Sequence, residues 1–129
     1  MARSGGVSNI GDMPGKPYDL EERTWMFAKN VRQFVKQLPR TICNMVDVRQ
    51  LARSSDSIAA NYIEANESLS KKDFVVRVKI ARKEAKESRM WLRLVDTGDD
   101  TTLAAKRDDL IRESDELLKI LSAIINKSK

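Results

Sequence analysis

The chain has 129 residues, of which 33% are charged and 5% aromatic, and its formal net charge is +5. This length suits one domain with a self-sufficient core, and a single cysteine with no histidine excludes an internal disulfide and the usual zinc and iron ligand sets. No window approaches the roughly 20 apolar residues of a membrane span, so we expect a cytoplasmic protein with no membrane partner.

Residues 1–17 collect glycine, proline and serine without hydrophobic periodicity and predict a flexible leader, whereas residues 18–129 predict one helical domain. A first helix is predicted to begin after an N-cap at Asp19, with Glu22 completing a capping box, and to end at Pro39. Its predicted core positions recur at helical spacing; they are Leu20, Thr24, Phe27, Ala28, Val31, Phe34, Val35 and Leu38.

Trp25 lies on the outer side of this first helix, in a stripe with Lys29, Arg32 and Lys36. A large indole is unexpected on a solvent-facing side. It either packs against a neighbouring subunit or pairs locally with the cations of its own stripe. We favour the subunit contact and therefore include Trp25 in a predicted oligomer interface.

Residues 47–66 predict a second helix, preceded by a short connection that contains Asn44 and Cys43, whose thiol we expect to be partly buried. Its predicted core face consists of Val48, Leu51, Ala52, Ser55, Ile58, Ala59, Tyr62, Ile63 and Asn66. Ser55 is interpreted as a packing notch rather than a nucleophile, because the chain has no histidine to activate it.

Residues 70–96 predict a long third helix, capped by Ser70 and followed by Gly98 at its C-terminal end. At about 100° per residue, its side chains fall into three sectors. The predicted core sector contains Phe74, Val78, Ala81, Ala85, Ser88, Leu92 and Val95.

The second sector of this helix, which we name the cationic strip, contains Lys72, Lys79, Arg82, Lys83, Lys86, Arg89 and Arg93. Residues 71–93 carry nine basic and three acidic side chains, so this one helix exceeds the net charge of the whole chain. We predict that the cationic strip binds nucleic acid. The alternative is an ordinary solvated face, neutralised by acidic residues of the following helix such as Asp108, Asp109, Glu113, Asp115 and Glu116.

The third sector, which we name the mixed sector, contains Val76, Ile80, Glu84, Glu87, Trp91 and Leu94. It is too apolar for a plain solvated face, so we predict that it forms an oligomer interface together with Trp25. Two E-x-x-E pairs, at Glu64 with Glu67 and at Glu84 with Glu87, resemble part of a carboxylate-bridged metal centre. Pairing of these glutamates with Arg53, Arg77 or Lys83 is favoured over a metal site, because such centres use Glu-x-x-His motifs.

A fourth helix is predicted after candidate N-caps at residues 99–101. Leu103, Leu110, Leu117 and Ile124 repeat every seven residues, with Ser114 and Leu121 at the other seam position. Four helices joined by short turns predict an all-α, up-down-up-down antiparallel four-helix bundle. Asn61 and Asn66 are expected to form hydrogen bonds between the second and third helices.

Two adjoining stretches, RSSDSIAANYIEANES at 53–68 and SKKDFVVRVKIARKEAKESRMWL at 70–92, resemble the bacterial family called four-helix bundle protein, or large-subunit rRNA intervening-sequence protein. This family is related to the accessory variability determinant of diversity-generating retroelements. The resemblance implies a four-helix bundle in a ring-like homopentamer. For the retroelement relatives it also implies binding of nucleic acid and of a reverse transcriptase.

These observations together predict a non-catalytic homo-oligomer whose basic surface binds RNA or DNA, without a cofactor or a metal. No nucleophile and base pair, metal cluster or phosphate-binding loop is visible in the sequence, so no enzyme class is indicated. The alternative function is a protein-interaction scaffold that does not bind nucleic acid directly.

Overall fold

The computed structural model describes residues 17–129, with side chains from Leu20 onward. Its helices are α1 (Pro17–Val35), α2 (Ile42–Asn66), α3 (Lys71–Leu94) and α4 (Thr101–Lys127). Over this described range there is no strand, so the all-α prediction is confirmed. The predicted leader lies outside the described residues, apart from Pro17, which begins α1.

The four helices pack in a closed circuit, α1 on α2, α2 on α3, α3 on α4 and α4 on α1. Their apolar faces meet in one central core. The largest fully buried apolar side chains are Tyr62, Phe27, Phe34, Leu20, Leu51, Ile58, Leu92, Leu117, Leu121, Val31 and Val78. Burial of each such leucine or isoleucine stabilises the fold by about 1.5–3 kcal/mol. The chain therefore forms the predicted four-helix bundle.

The start of α1 differs from the prediction. The helix begins at Pro17, so Asp19 lies within its first turn and is not the N-cap. Proline is favoured at the first helical position, because the N–H group that it lacks would have no acceptor inside the helix in any case. The proline had been assigned to the leader and instead opens the helix.

The start of α2 was also predicted wrongly, five residues too late. The helix begins at Ile42, and the Oγ1 of its N-cap Thr41 accepts a hydrogen bond of 3.1 Å from the Asn44 N–H. Cys43 lies in this first turn and is exposed, not partly buried as expected. The apolar residues of the turn, such as Ile42, point away from the core, so this turn has no hydrophobic periodicity towards the core.

The predicted caps of α3 and α4 are confirmed. Ser70 Oγ accepts a hydrogen bond of 3.1 Å from the Asp73 N–H, and Asp100 Oδ1 accepts one of 3.0 Å from the Leu103 N–H. Between the two helices Gly98 adopts a φ of +66°, a conformation that favours glycine. α3 itself ends at Leu94, with the extended Val95 as its C-cap, and the turn at Gly98 then redirects the chain into α4.

Asn44 joins two connections at one end of the bundle. Its Nδ2 donates hydrogen bonds to the carbonyl oxygens of Pro39 at 2.9 Å and Asp96 at 2.8 Å, while its Oδ1 accepts one of 2.9 Å from the Asp96 N–H. The side chain is almost fully buried. It therefore fixes the segment after α1 against the segment after α3.

Several predicted core positions are less buried in the structure than the sequence predicted. Ile63 is 47% exposed, and Ala65 is buried in its place. At the end of α4, Ile124 is only half-buried and Ile125 is buried. A seven-residue repeat drifts by about 20° per heptad on a straight helix, which accounts for the move from Ile124 to Ile125. Phe74, at the start of α3, is also half-buried, and so are the predicted core residues Val35, Val48, Ala52, Ala59 and Asn66.

Candidate nucleic-acid interface

The buried core sector of α3 fixes the rotation of the helix about its axis and therefore determines which of its side chains face outward. Val78, Ala81, Ala85 and Leu92 are fully buried. Ser88 Oγ lies 2.7 Å from Ser54 Oγ of α2 in a buried hydrogen bond. Because this face is held inside the bundle, the cationic strip on the far side of α3 faces outward.

Five residues of the cationic strip are exposed: Lys72, Lys79, Lys83, Lys86 and Arg93. The other two are half-buried against α4. Arg89 Nη1 lies 2.7 Å from Asp115 Oδ1, and Arg82 Nη1 donates a hydrogen bond of 3.4 Å to Ser122 Oγ. These two arginines connect α3 to α4, whereas the five exposed residues form the outward surface.

The acidic residues of α4 are engaged with other partners. Among the side chains described, from residue 20 to residue 129, none of the five exposed cations of the strip takes part in an ion pair. The remaining α4 pairs are Arg23–Glu113, Arg107–Asp108, Arg112–Asp109 and Lys119–Glu116. Only Asp115 of α4 neutralises a residue of the strip, so most of its positive charge is left uncompensated by α4.

The Arg23–Glu113 pair shows how firmly one of these acids is held. Arg23 Nε and Nη2 donate hydrogen bonds of 2.7 and 2.9 Å to the two carboxylate oxygens. The hydrogen bond to Glu113 raises the pKa of Arg23, although partial burial opposes this effect. Such a two-point contact between a guanidinium and a carboxylate is among the stronger side-chain interactions, and it keeps Glu113 on the α1 side of α4.

The mixed sector is less uniform than the sequence predicted. Val76 and Leu94 are 48% and 58% exposed, while Ile80, Glu87 and Trp91 are half-buried. Trp91 packs against the core, and its buried indole N–H has no hydrogen-bond partner among the described residues. Apolar surface in this sector is therefore available mainly at Val76 and Leu94.

Glu84 was expected outside the core, and this expectation is wrong. The residue is 6% exposed, and Arg53 Nη1 of α2 lies 3.4 Å from both of its carboxylate oxygens. Arg53 Nη2 also contacts Glu87 Oε1 at 2.7 Å. The predicted pairing of these glutamates with Arg53 is confirmed. Within the described residues there is no group of three or more potential metal-ligating side chains.

The two asparagines predicted to join α2 and α3 behave differently from each other. Asn61 Oδ1 accepts a hydrogen bond of 3.2 Å from Arg77 of α3, as predicted. Asn66 instead donates a hydrogen bond of 2.7 Å to Glu21 of α1. The last turn of α2 is therefore tied to α1.

Trp25 is 50% exposed on α1, and Lys29 Nζ lies 5.1 Å from the centroid of its ring. This distance is within the range of a cation–π interaction. The local arrangement that was one of the two interpretations is thus present within a single subunit. The contact with another subunit stays a prediction.

Met90 is a surface residue that the sequence analysis did not assign to any sector. It is 43% exposed and lies four residues after Lys86 and three before Arg93, so its side chain stands between theirs on the helix surface. Its helical position was available in the sequence. It was passed over because a methionine among lysines and arginines belongs neither to the core sector nor to the cationic strip.

A shallow cleft of about 260 Å³ lies between α1 and α4, with Asn30, Gln33, Gln37, Lys106 and Asp109 among its lining residues. These side chains can form hydrogen bonds but include no pairing of a nucleophile with an activating base. No described helix is long and apolar enough to cross a membrane.

Comparison with known proteins agrees with this architecture. The family model described as 23S rRNA-intervening sequence protein matches residues 18–123. A solved structure, that of a protein of unknown function from the S23 ribosomal protein family of Bacteroides thetaiotaomicron VPI-5482, is similar with a TM-score of 0.73 and 28% identity. The similarity covers 85% of this chain and 97% of the other. No curated protein matches the chain, and neither description names an enzymatic reaction.

Proposed function

The chain belongs to the 23S rRNA-intervening sequence protein family, and from this membership and the surface of α3 we propose that the protein binds nucleic acid without catalysing a reaction. RNA and DNA are both candidate ligands, because each presents the phosphate backbone that exposed cations contact. The cationic strip is the proposed contact surface.

One observation carries this proposal. The five exposed cations of the strip have no acidic partner among the described side chains, although α4 beside them is rich in acidic residues. If the strip were only a solvent-exposed face without a binding role, its cations would be expected to form ion pairs with the acidic side chains of α4. Unpaired cations on a rigid surface favour phosphate contacts, because their association with a polyanion releases condensed counterions.

The chemistry of the strip indicates contacts to the phosphate backbone with little reading of base sequence. Lysines act as point charges, whereas Arg93 can donate two parallel hydrogen bonds to phosphate oxygens. Contacts of this kind position a protein on nucleic acid but carry no sequence information. We therefore propose that these cations bind polyanions of many sequences. Any preference for one nucleic acid over another comes from residues other than these cations.

We further propose an up-down-up-down antiparallel topology. Hydrogen bonds and ion pairs between side chains of neighbouring helices support it. A residue that comes later in one helix pairs with a residue that comes earlier in the other, which is the order expected for antiparallel helices. The pairs are Glu21–Asn66 and Arg32–Asp56 between α1 and α2, and Arg82–Ser122 and Arg89–Asp115 between α3 and α4. In this topology the five exposed cations of the strip lie on the outer surface of α3.

Self-association into a ring-like homopentamer is proposed from the family resemblance and from apolar side chains that the single subunit leaves exposed. Trp25 and Leu94 are at least half exposed, and Val76 is nearly half exposed. Trp91, Ile80 and Glu87 are half-buried and leave part of their surface accessible. Glu84 is buried within the subunit and contributes little to such a contact. Cyclic symmetry would repeat the cationic strip in every subunit.

The proposal is tested by binding of a structured RNA to two charge-matched variants. The first replaces Lys79, Lys83 and Lys86 with glutamate. The second makes the same change at Lys36, Lys106 and Lys127, which are exposed outside α3. Both variants lose the same net charge, so they separate the position of the charge from its amount.

We expect the α3 variant to bind RNA at least about tenfold more weakly than wild type, because three phosphate contacts are replaced by repulsion. The control variant should stay within about threefold of wild type. Circular dichroism and light scattering establish that both variants keep their helix content and mass. Equal binding by the two variants would remove α3 as the interface.

A second candidate function is a protein-interaction scaffold. It is favoured by apolar side chains that are exposed in the first turns of α2, namely Ile42 at 86%, Met45 at 41% and Val46 at 57%. A reverse transcriptase is the candidate partner that the family resemblance implies. Binding of such a partner by a protein that does not bind RNA would favour this function.

A further inference from the structure

Four cations of the strip form a nearly straight row along α3. Lys72, Lys79, Lys86 and Arg93 follow one another at seven-residue intervals, which corresponds to about 10.5 Å per step and about 31 Å in total. The row turns around the helix by only about 20° per step. All four side chains are exposed, so the row is continuous over nearly the whole length of α3.

A second row runs beside the first and contains apolar side chains. Val76, Lys83 and Met90 are each four residues after one cation of the first row and three before the next. At these spacings neighbouring Cβ atoms are about 5–6 Å apart. Val76 is 48% exposed and Met90 43%. Apolar surface is therefore present in the gaps between cations at both ends of the row.

An apolar side chain between cations fits a ligand that offers apolar surface next to its phosphates. In a duplex the faces of the bases are stacked inside, and only their edges are accessible in the grooves. In an unpaired strand the base faces are free to pack on protein side chains while the phosphates contact basic residues. The strip of α3 has the arrangement that suits the unpaired strand.

The shape of the row favours the same ligand. The phosphates of a duplex follow a helical path and turn away from a straight rod within part of one turn of about 34 Å. A flexible single strand can follow a straight row over its whole length. We infer that the outward face of α3 binds single-stranded nucleic acid, with phosphates on the four-cation row and bases on Met90; this inference rests on the proposed function.

The experiment compares an RNA strand of about 12 nucleotides, without self-complementarity, with the duplex that it forms with its complement. At about 3.4 Å per nucleotide even a stacked strand of this length spans the row. Fluorescence anisotropy is measured for both ligands at the same salt concentration. Electrostatic attraction alone favours the duplex, because its charge density is higher. A preference for the strand therefore requires contact with the bases or a better fit of its flexible backbone to the row, and Met90→Ala distinguishes these two causes.

We expect the strand to bind at least about fivefold more tightly than the duplex. Met90→Ala should weaken strand binding roughly threefold and leave duplex binding and the salt dependence unchanged, because Met90 contacts bases and not phosphates. Lys86→Gln should weaken both ligands and make the salt slope for the strand shallower by about 0.7. Met45→Ala and Lys36→Gln, at exposed positions outside α3, are the matched controls and should change neither property.

Two results would overturn the inference. Duplex binding as tight as strand binding, or Met90→Ala indistinguishable from Met45→Ala, would show that α3 contacts phosphates only and would leave the proposed function intact. Absence of binding to both ligands, or binding that the α3 triple variant does not alter, would contradict the proposed function together with the inference.

Discussion

Asn44 is the single residue on which the geometry of one end of the bundle most depends. It is 2% exposed and satisfies three backbone groups that belong to the segments following α1 and α3. The periodicity of the sequence placed it in a loop, because a buried asparagine has no hydrophobic signal. Its position depends on hydrogen bonds to residues distant in sequence, such as Asp96. A local sequence pattern contains no information about such bonds.

We predict that Asn44→Leu lowers the free energy of unfolding by about 2–4 kcal/mol, since the N–H of Asp96 and two carbonyl groups lose their buried partner. Denaturant titration measures this loss. Asn61→Leu is the control, because Asn61 is less buried and accepts one hydrogen bond, from Arg77. A loss of less than about 1 kcal/mol for Asn44→Leu would mean that water replaces the amide.

The pair formed by Arg53 and Glu84 gives a second prediction for single residues. Arg53→Leu leaves the buried Glu84 carboxylate without its partner, and we expect a loss of about 1–3 kcal/mol of stability. The double variant Arg53→Leu with Glu84→Leu should recover part of that loss, because no buried charge remains. Thermal and denaturant unfolding of these two variants and of the single variant Glu84→Leu completes a double-mutant cycle. Simple additivity of the two changes would contradict the pairing.

The helices show which sequence signals are reliable and which are not. Ser70 was predicted as the cap of α3, and the cap of α4 was narrowed to residues 99–101, because these positions directly precede regular apolar patterns. The start of α2 was missed because its first turn exposes Ile42 and its neighbours instead of burying them. Core positions of α3 were predicted well, since small residues such as Ala81 and Ala85 repeat at helical spacing.

At the scale of one helix, the unrecognised cap of α2 can be tested. We expect Thr41→Ala to destabilise the protein by about 1 kcal/mol, because the Thr41 hydroxyl no longer accepts the Asn44 N–H. Thr102→Ala, in the exposed first turn of α4, is the control and should change stability by less than about 0.5 kcal/mol. Equal effects in urea unfolding would show that Thr41 is not an effective cap.

The whole molecule combines a packed interior with two kinds of surface that a ligand or another subunit could contact. One consists of exposed cations and the other of exposed apolar side chains. The bundle could be predicted from sequence, because it follows from the helical periodicity of the apolar residues. The burial of Glu84 and the engagement of Arg82 and Arg89 with α4 could not, since they depend on how α3 is rotated against its neighbours. Five of the seven residues of the cationic strip are exposed and two are half-buried, so the exposed part of the strip is narrower than predicted, while its binding of nucleic acid stays a prediction.

Self-association belongs to this scale and has its own prediction. Leu94→Glu should lower the mass measured by light scattering, because a charge would be placed in the proposed subunit contact, while helix content stays unchanged. Ile63→Glu is the matched control on α2, where a similarly exposed apolar residue is replaced outside the mixed sector. A mass unchanged by Leu94→Glu, or lowered only by Ile63→Glu, would place the contact elsewhere.

The most direct test of the central claim is the salt dependence of RNA binding by the wild-type protein and by the variant with glutamate at Lys79, Lys83 and Lys86. Five contacting cations predict that the logarithm of the binding constant falls linearly with the logarithm of salt concentration, with a slope of about −3.5 to −4.5 for one contacted subunit. The variant should have a slope shallower by about 2 to 3. A slope near zero for the wild type, or the same slope for both proteins, would contradict phosphate binding on α3.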